Sequence, residues 1–269
     1  MSFDFILFGI PMLISIVTTC YNSVTTIDDT IKSILGQKGD FELEYIITDA
    51  GSQDGTLDII RKYGDAIRLI DATGSNQSKG INIGLRASQG DILAFLNADD
   101  LYLPGALQAV AKSFRENPES QWLVGACNII DESGAELHPF ISRYKEFLRR
   151  RYSYFLLLTE NFICQPAVFW KRSAFLEIGD FSEAEQYVMD YEYWLRLGKK
   201  YQPLNIPTSL AAFRRSAQTK SNKGFVTQFK DDMRVGVSFA LSTKMYAAIP
   251  IKAFNCLKTI GIYSFLYRS

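Results

Sequence analysis

The sequence predicts an α/β protein with a mainly parallel central sheet flanked by helices, followed by an irregular second half and a C-terminal helical appendage. Three observations predict it. Short apolar runs rich in branched residues alternate with helix-patterned segments from Leu13 to Ile130, and strands separated by helices pair in parallel with the helices on both faces. One run, Ile92-Leu93-Ala94-Phe95-Leu96, is apolar throughout, as a strand buried on both faces must be. From about Ser142 the pattern loses its regularity, and the tail from Tyr246 to Tyr267 is apolar with Lys252, Lys258 and Arg268 spaced through it.

Leu13 to Thr19 is the first expected strand, and Asp28 to Leu35 after it is helical in pattern. Leu43 to Thr48 is the second strand. Gly51-Ser52-Gln53-Asp54-Gly55 then turns the chain, with Asp54 positioned to cap the helix Thr56 to Tyr63. Ala66 to Ile70, Lys79 to Ala87 and Asp91 to Leu96 supply the third strand, a helix and the fourth strand. The helix Gly105 to Glu116 and the strand Trp122 to Ile130 follow, and Asp131-Glu132-Ser133-Gly134 signals a hairpin. At the start, Phe5 to Val17 is apolar but lacks the basic residues and small-residue cleavage site of a signal peptide. It is read as a short extension plus the first strand, with Met12 as an alternative start.

At 269 residues the chain suits one large domain, or one domain with an appendage. Its 29 basic residues balance 29 acidic ones, which argues against a nucleic-acid binder. Four cysteines lack paired spacing, and Cys20, Cys127 and Cys164 lie in apolar segments. That is the usage of buried thiols in a reducing, cytoplasmic compartment rather than of a disulfide or zinc framework. The one histidine, His138, stands in a polar turn beside Pro139, which argues against a histidine-based triad. No segment is apolar for long enough to cross a bilayer.

The strand ends carry the unusual residues. Asn97-Ala98-Asp99-Asp100 follows the apolar fourth strand, at the edge where open α/β sheets bind ligands. Two adjacent carboxylates repel each other, and Mg²⁺ or Mn²⁺ would relieve the repulsion and hold a substrate phosphate. The alternative is that Asp99 or Asp100 caps a helix beginning near Pro104. Thr19-Cys20-Tyr21-Asn22 ends the first strand with a hydroxyl, a ring and an amide, groups able to grip a planar heterocycle. Asp49 ends the second, where it is placed to accept a hydrogen bond from a base imide. The turn after it has no Gly-x-Gly-x-x-Gly pattern and no Gly-Lys-Ser/Thr ending, so dinucleotide and NTPase readings weaken. Gln77, Ser78, Lys79 and Asn82 open a helix near the same edge, so Lys79 is either a phosphate contact or a surface lysine.

Val17-Thr18-Thr19-Cys20-Tyr21-Asn22, then Asp49-Ala50-Gly51-Ser52-Gln53-Asp54-Gly55-Thr56, then Leu96-Asn97-Ala98-Asp99-Asp100 together resemble, in order and spacing, the signatures of family 2 glycosyltransferases. The resemblance covers residues 12–220 and implies a GT-A fold, an inverting transfer from a nucleotide-diphosphate sugar, and a catalytic domain with a nucleotide-sugar half (12–130) and an acceptor half (131–220). By it, Thr19, Tyr21 and Asp49 meet the nucleotide base and ribose, and Asp99 closes an Asp-x-Asp metal motif whose first position is Asn97; from their place at the same edge, Asn22, Lys79 and Asn82 are read with them on the nucleotide-sugar side. Ala50 replaces a frequent second aspartate. Asn161-Phe162-Ile163-Cys164-Gln165-Pro166 and Gly179-Asp180-Phe181 resemble the acceptor-side segment, which puts Gln165 with the acceptor. Met189-Asp190-Tyr191-Glu192-Tyr193-Trp194 resembles the Glu-Asp motif that supplies the base, with Met189 in place of the glutamate. Asp190 becomes the catalytic base, Glu192 the reserve, and Trp194 an acceptor-side residue. For Glu192 the alternative is a helical acid paired with Arg196, four residues on. Phe213-Arg214-Arg215-Ser216 resembles a later motif whose basic residues bind phosphates, with Ser216 where a histidine is common. Arg214 and Arg215 are read either in that role or as a solvated basic loop.

The implied partners are a nucleotide-sugar donor and a glycan or lipid-linked sugar acceptor, in the assembly of cell-surface polysaccharide or glycolipid. Asn97 and Met189 keep open a catalytically lapsed nucleotide-sugar-binding or scaffold protein. A nucleotidylyltransferase is disfavoured for want of a Gly-rich, basic N-terminal loop. Residues 221–269 form the appendage. Together with Arg149-Arg150-Arg151, flanked by aromatics, it suits an anionic membrane surface at the inner face of the cytoplasmic membrane. The tail reads equally as packed on the catalytic domain or on a second copy in a homodimer.

Overall fold

A computed structural model describes residues 11–215 and 225–266. The extension Phe5–Ile10, Ser216 and the tail beyond residue 266 lie outside the described residues. In the first part, β1 (Leu13–Cys20), α1 (Ile27–Leu35), β2 (Glu42–Asp49), α2 (Thr56–Arg61), β3 (Arg68–Asp71), α3 (Gln77–Ala87) and β4 (Ile92–Phe95) alternate as the apolar periodicity predicts. The third strand starts later than Ala66 because Gly64–Ala66 forms a single 3₁₀ turn. Then follow β5 (Leu101–Tyr102), α4 (Ala106–Glu116), β6 (Trp122–Ile130), α5 (Pro139–Arg150), α6 (Tyr154–Thr159), β7 (Val168–Lys171), α7 (Arg172–Ile178), α8 (Met189–Lys200), β8 (Leu204–Arg214), α9 (Phe225–Ser242) and α10 (Ala248–Leu266).

One eight-stranded sheet runs in the order β3-β2-β1-β4-β7-β6-β8-β5. The strands β3, β2, β1 and β4 are mutually parallel. Beyond them β7 lies antiparallel to β4 and β6, β8 returns parallel to β6, and β5 is antiparallel to β8. Strand order reverses at β1, which has β2 on one side and β4 on the other, so a crevice opens at the carboxyl ends of β1 and β4.

Alternation along the strands sends side chains into two cores. Val17, Ile46, Leu93 and Phe95 face α3, α6 and α8, while Ile16, Ile47, Ile92 and Ala94 face α1 and α4. Burying each of these Val, Ile, Leu and Phe side chains contributes about 1.5–3 kcal/mol. The helix α3 lies hard against the sheet, because a Cβ at Gly80 would stand 2.4 Å from Thr19 Oγ1, and one at Gly84 2.4 Å from Val17 Cγ1.

The tail helices pack back on this body. Val235, Ala240 and Ala248 are buried, and Lys252, 1% exposed, pairs with Asp232 at 2.5 Å. Among the described residues no helix is long and apolar enough to cross a membrane.

Candidate active site

The carboxyl ends of the parallel strands stand side by side, Cys20 in register with Asp49 and Asp49 with Asp71. Asp49 is buried. Its Oδ1 accepts the Gly51 and Ser52 N–H groups (2.9 and 2.8 Å), and its Oδ2 accepts the Ser52 hydroxyl (2.5 Å) and the Cys20 thiol (3.2 Å). These contacts use the accepting capacity of a carboxylate, so Asp49 builds the β2–α2 turn, and a base imide would have to displace one of them. Burial, with the Asp49 contact, keeps the Cys20 thiol protonated. Asn22, at φ 49, ties β1 to the same turn by accepting the Gln53 N–H at 2.9 Å. Tyr21 stays 62% exposed beside them.

The acidic pair divides its work. Asp100 is fully buried, with Oδ1 accepting the Arg214 N–H (2.9 Å) and Oδ2 the Asn97 amide (3.0 Å). It joins β4 to β8. The helix-cap alternative fails for both acids, because β5 intervenes and α4 starts from Gly105 at φ 79 with no side-chain cap. Asp99 is half-buried. Burial raises its pKa, with its own backbone N–H and the Arg214 charge pulling it back. Asp100 is raised well above the ordinary carboxylate range, first by burial and then by the charge of Asp99. Among the described residues no three His, Cys, Asp or Glu side chains converge on a metal position. Asp100 is committed to Arg214 and Asn97, which leaves Asp99 as the acid of the pair that would hold a divalent ion, in the one-or-two-carboxylate manner usual for Mg²⁺.

Asn97 is the hub between the two halves. Its Nδ2 donates to Asp100 Oδ2 and to Gln165 Oε1 (3.1 Å), and its Oδ1 accepts from Gln77 Nε2 (2.8 Å). Gln165 in turn donates to the Phe95 carbonyl at 2.7 Å. An aspartate at 97 would have no N–H to offer Asp100. Next to Gln77, Ser78 donates to Met189 Sδ at 2.8 Å. The first turn of α3 thus touches both Asn97, two residues before Asp99, and Met189, the residue before Asp190.

Asp190 opens α8, half-buried, and its Oδ1 accepts the Tyr191 N–H at 2.8 Å. Burial raises its pKa, that N–H and the charge of Lys145 lower it, and Asp232 raises it. Lys145 of α5 also acts on Cys164, and both line a small cavity with Cys127 and Ser142, whose hydroxyl is buried without a hydrogen-bond partner. Behind Asp190, the Tyr191 hydroxyl lies 2.9 and 3.2 Å from the Leu157 and Leu158 carbonyls and 3.2 Å from Lys252 Nζ.

Several expected site residues are placed elsewhere. Trp194 is not at an acceptor surface: it is fully buried, stacked on Trp122 at 6.1 Å. Asn82 does not face the donor crevice, because its amide exchanges two hydrogen bonds with the Phe181 backbone, both 2.9 Å. Glu192 is held by Arg196 through two 2.8 Å contacts, which removes it as a reserve base. Met189 is buried against α3. Arg214 is buried and bonded to Asp29 at 3.0 Å, with its Nε lacking a hydrogen-bond partner. Arg215 follows it off β8, with its N–H on the Ile130 carbonyl. Lys79 is exposed on the first turn of α3, beside an open depression lined by Asp71, Thr73 and Ser75. Gln77 is the residue sequence reasoning left without a role. The polar run at the start of α3 was its signal.

The profile described as glycosyl transferase family 2 matches residues 15–179. The chain belongs to glycosyl transferase family 2. A Mycobacterium tuberculosis protein, the uncharacterized MT1568, is 28% identical over 232 residues, covering 80% of this chain and 71% of its own. The chain spans 31% of the length of two similar Rickettsia glycosyltransferases. Among solved structures, Staphylococcus aureus TarS 1–349 in complex with UDP-GlcNAc superposes with a TM-score of 0.64 at 17% identity, covering 86% of this chain and 67% of that one. The mannosyltransferase PcManGT of Pyrobaculum calidifontis, in complex with GDP-Man and Mn²⁺, superposes with a TM-score of 0.61 at 14% identity, covering 97% and 82%. The architecture this family 2 member shares with them is the GT-A fold.

Proposed function

We propose that this family 2 glycosyltransferase moves a sugar, with inversion, from a nucleotide-diphosphate sugar to an acceptor hydroxyl, in the assembly of a cell-surface polysaccharide or glycolipid. The observation that supports the reading is the pair of contacts by which the first turn of α3 meets both motif segments, Gln77 bonding Asn97 beside Asp99 and Ser78 bonding Met189 beside Asp190. The UDP-GlcNAc and GDP-Man complexes of the similar structures support a nucleotide-sugar donor.

Tyr21 and Thr19 flank the nucleotide at the end of β1, on the turn that Asp49 and Asn22 hold rigid. Asp99 would hold Mg²⁺ or Mn²⁺ together with the donor phosphates, and the ion would supply charge neutralisation for the leaving diphosphate. In this reading Lys79 adds a positive charge on the same side, and Arg214 and Arg215 hold the β8 end of the donor site. Asp190 takes the proton of the acceptor hydroxyl as its oxygen bonds to the anomeric carbon from the face opposite the breaking C–O bond. The nucleotide diphosphate leaves with that bond's electron pair. One base and one displacement invert the anomeric centre. The raised pKa of Asp190 makes it a stronger base than an ordinary carboxylate. Gln165, bonded to Asn97, lies where the donor and acceptor sides meet.

The test is release of nucleotide diphosphate from a panel of sugar donors with Mn²⁺ and candidate acceptors, with product anomers assigned by NMR. Turnover with an inverted product is expected. Mn²⁺-dependent donor binding without turnover on any acceptor would instead favour a lapsed, binding-only protein.

A further inference from the structure

Charge over the whole chain balances, but one face of the molecule departs from that balance. Residues 137–151 contain Arg143, Lys145, Arg149, Arg150 and Arg151 against Glu146 alone, and residues 243–269 contain no Asp or Glu. On α5, Phe140, Tyr144 and Phe147 recur at helical spacing and are 58%, 40% and 50% exposed. On α10 the inner side is set by Ala248, Lys252 and Cys256, all buried, while Ile251, Phe254 and Leu257 point outward at 42%, 67% and 69% exposure. The two stripes meet where Lys258 Nζ lies 3.2 Å from the Tyr144 hydroxyl. The Arg151 guanidinium sits 3.8 Å from the centre of the Phe147 ring, so cations stand among the aromatics.

We propose that this joint face of α5 and α10 docks on an anionic bilayer surface. Soluble proteins seldom leave aromatic and aliphatic side chains contiguous over such an area without a partner. Exposed rings and aliphatics rimmed by arginine are the composition of segments that lie in the headgroup region. Arg149, which is buried, and Arg150 are paired with Glu146, but Arg143 and Arg151 are exposed, and anionic headgroups complement them, whereas a second copy of the same face would set like charges against each other. The inner side of α5 carries Ser142 and Lys145 in the cavity beside Asp190. The docking does not rest on the proposed transfer reaction.

Co-sedimentation of the full chain with vesicles of phosphatidylcholine, alone or with about 30% phosphatidylglycerol, tests it. Binding to the anionic vesicles at least about tenfold tighter than to neutral ones is expected. Phe254→Ser/Leu257→Ser and Arg143→Glu/Arg151→Glu should each weaken it about tenfold or more, with melting curves like the native protein's because the altered side chains are exposed. Native protein that ignores anionic vesicles, or variants that bind them as well as native, would overturn the proposal. So would a concentration-dependent dimer, seen by light scattering, that Phe254→Ser/Leu257→Ser abolishes. Vesicle binding is read without turnover, so its failure and that of the transfer reaction are separate results.

Discussion

The donor edge and the acceptor side of this molecule are held together in different ways. At the donor turn the polar groups are fixed by the turn itself and by the neighbouring end of β1: Asp49 by Gly51, Ser52 and Cys20, and Asp54 by Thr56 and the Val24 N–H. On the acceptor side the partners come from far along the chain. Asp190 sits on a helix start backed by Tyr191, which lies against α6 carbonyls and against Lys252 from the tail, and Lys252 is neutralised by Asp232. The first arrangement forms with its strands and turns. The second exists only once α9 and α10 have docked, so the base depends on the whole fold and the donor turn does not.

The largest expected break in this comparison is chemical. Asp190→Asn should lower kcat by about 10²–10⁴-fold, the usual contribution of a positioned base, while nucleotide binding at the donor edge persists. In the native enzyme the acid limb of the kcat profile should lie above the ordinary carboxylate range of about 4, because burial raises the Asp190 pKa and the base must be ionised to act. An acid limb at or below that range would contradict the assignment.

A smaller effect, on stability, sharpens the same contrast. Lys252→Met leaves Asp232 charged and mostly buried, and should cost about 3–5 kcal/mol in denaturant unfolding. Asp232→Asn/Lys252→Met should cost much less, because no lone buried charge remains. If the single and double variants unfold alike, the pair does not hold the tail to the acceptor side.

The smallest effect concerns the hub. Asn97→Asp replaces the donor that faces Asp100 with a third carboxylate, and should cost about 1–3 kcal/mol at neutral pH. Repulsion raises the folded-state pKa of these acids above the unfolded value, so the native state takes up protons more readily and the deficit shrinks as pH falls. Thermal melts at neutral and mildly acidic pH measure it, and a deficit that grows on acidification would contradict this account.

Much of the donor half was legible because its signals are short-range: apolar runs of strand length, turn residues, and acids at strand ends. The second half hid for physical reasons. The strand β8 contains Pro207 and runs beside a bulge in β6, where Leu210 packs so closely that a Cβ at Gly125 would lie 2.3 Å from its Cδ1. Neither break leaves a clean period of two. The strands β5 and β7 are too short to show one. Trp194, read from a motif, and Asn82, read from its place near a helix start, face elsewhere because position does not give a side chain's direction, and only packing against Trp122 and Phe181 decides that. The tail's alternatives narrowed through Lys252, whose burial against Asp232 no local pattern encodes.

The most direct test of the division between a locally built donor edge and a fold-dependent acceptor side is calorimetric titration of nucleotide diphosphate into native protein, Asp99→Asn and Asp190→Asn, with and without Mn²⁺. The account predicts Mn²⁺-strengthened binding for native protein and Asp190→Asn alike, and loss of the Mn²⁺ effect in Asp99→Asn alone. A Mn²⁺ effect that survives in Asp99→Asn, or that disappears in Asp190→Asn, would contradict it.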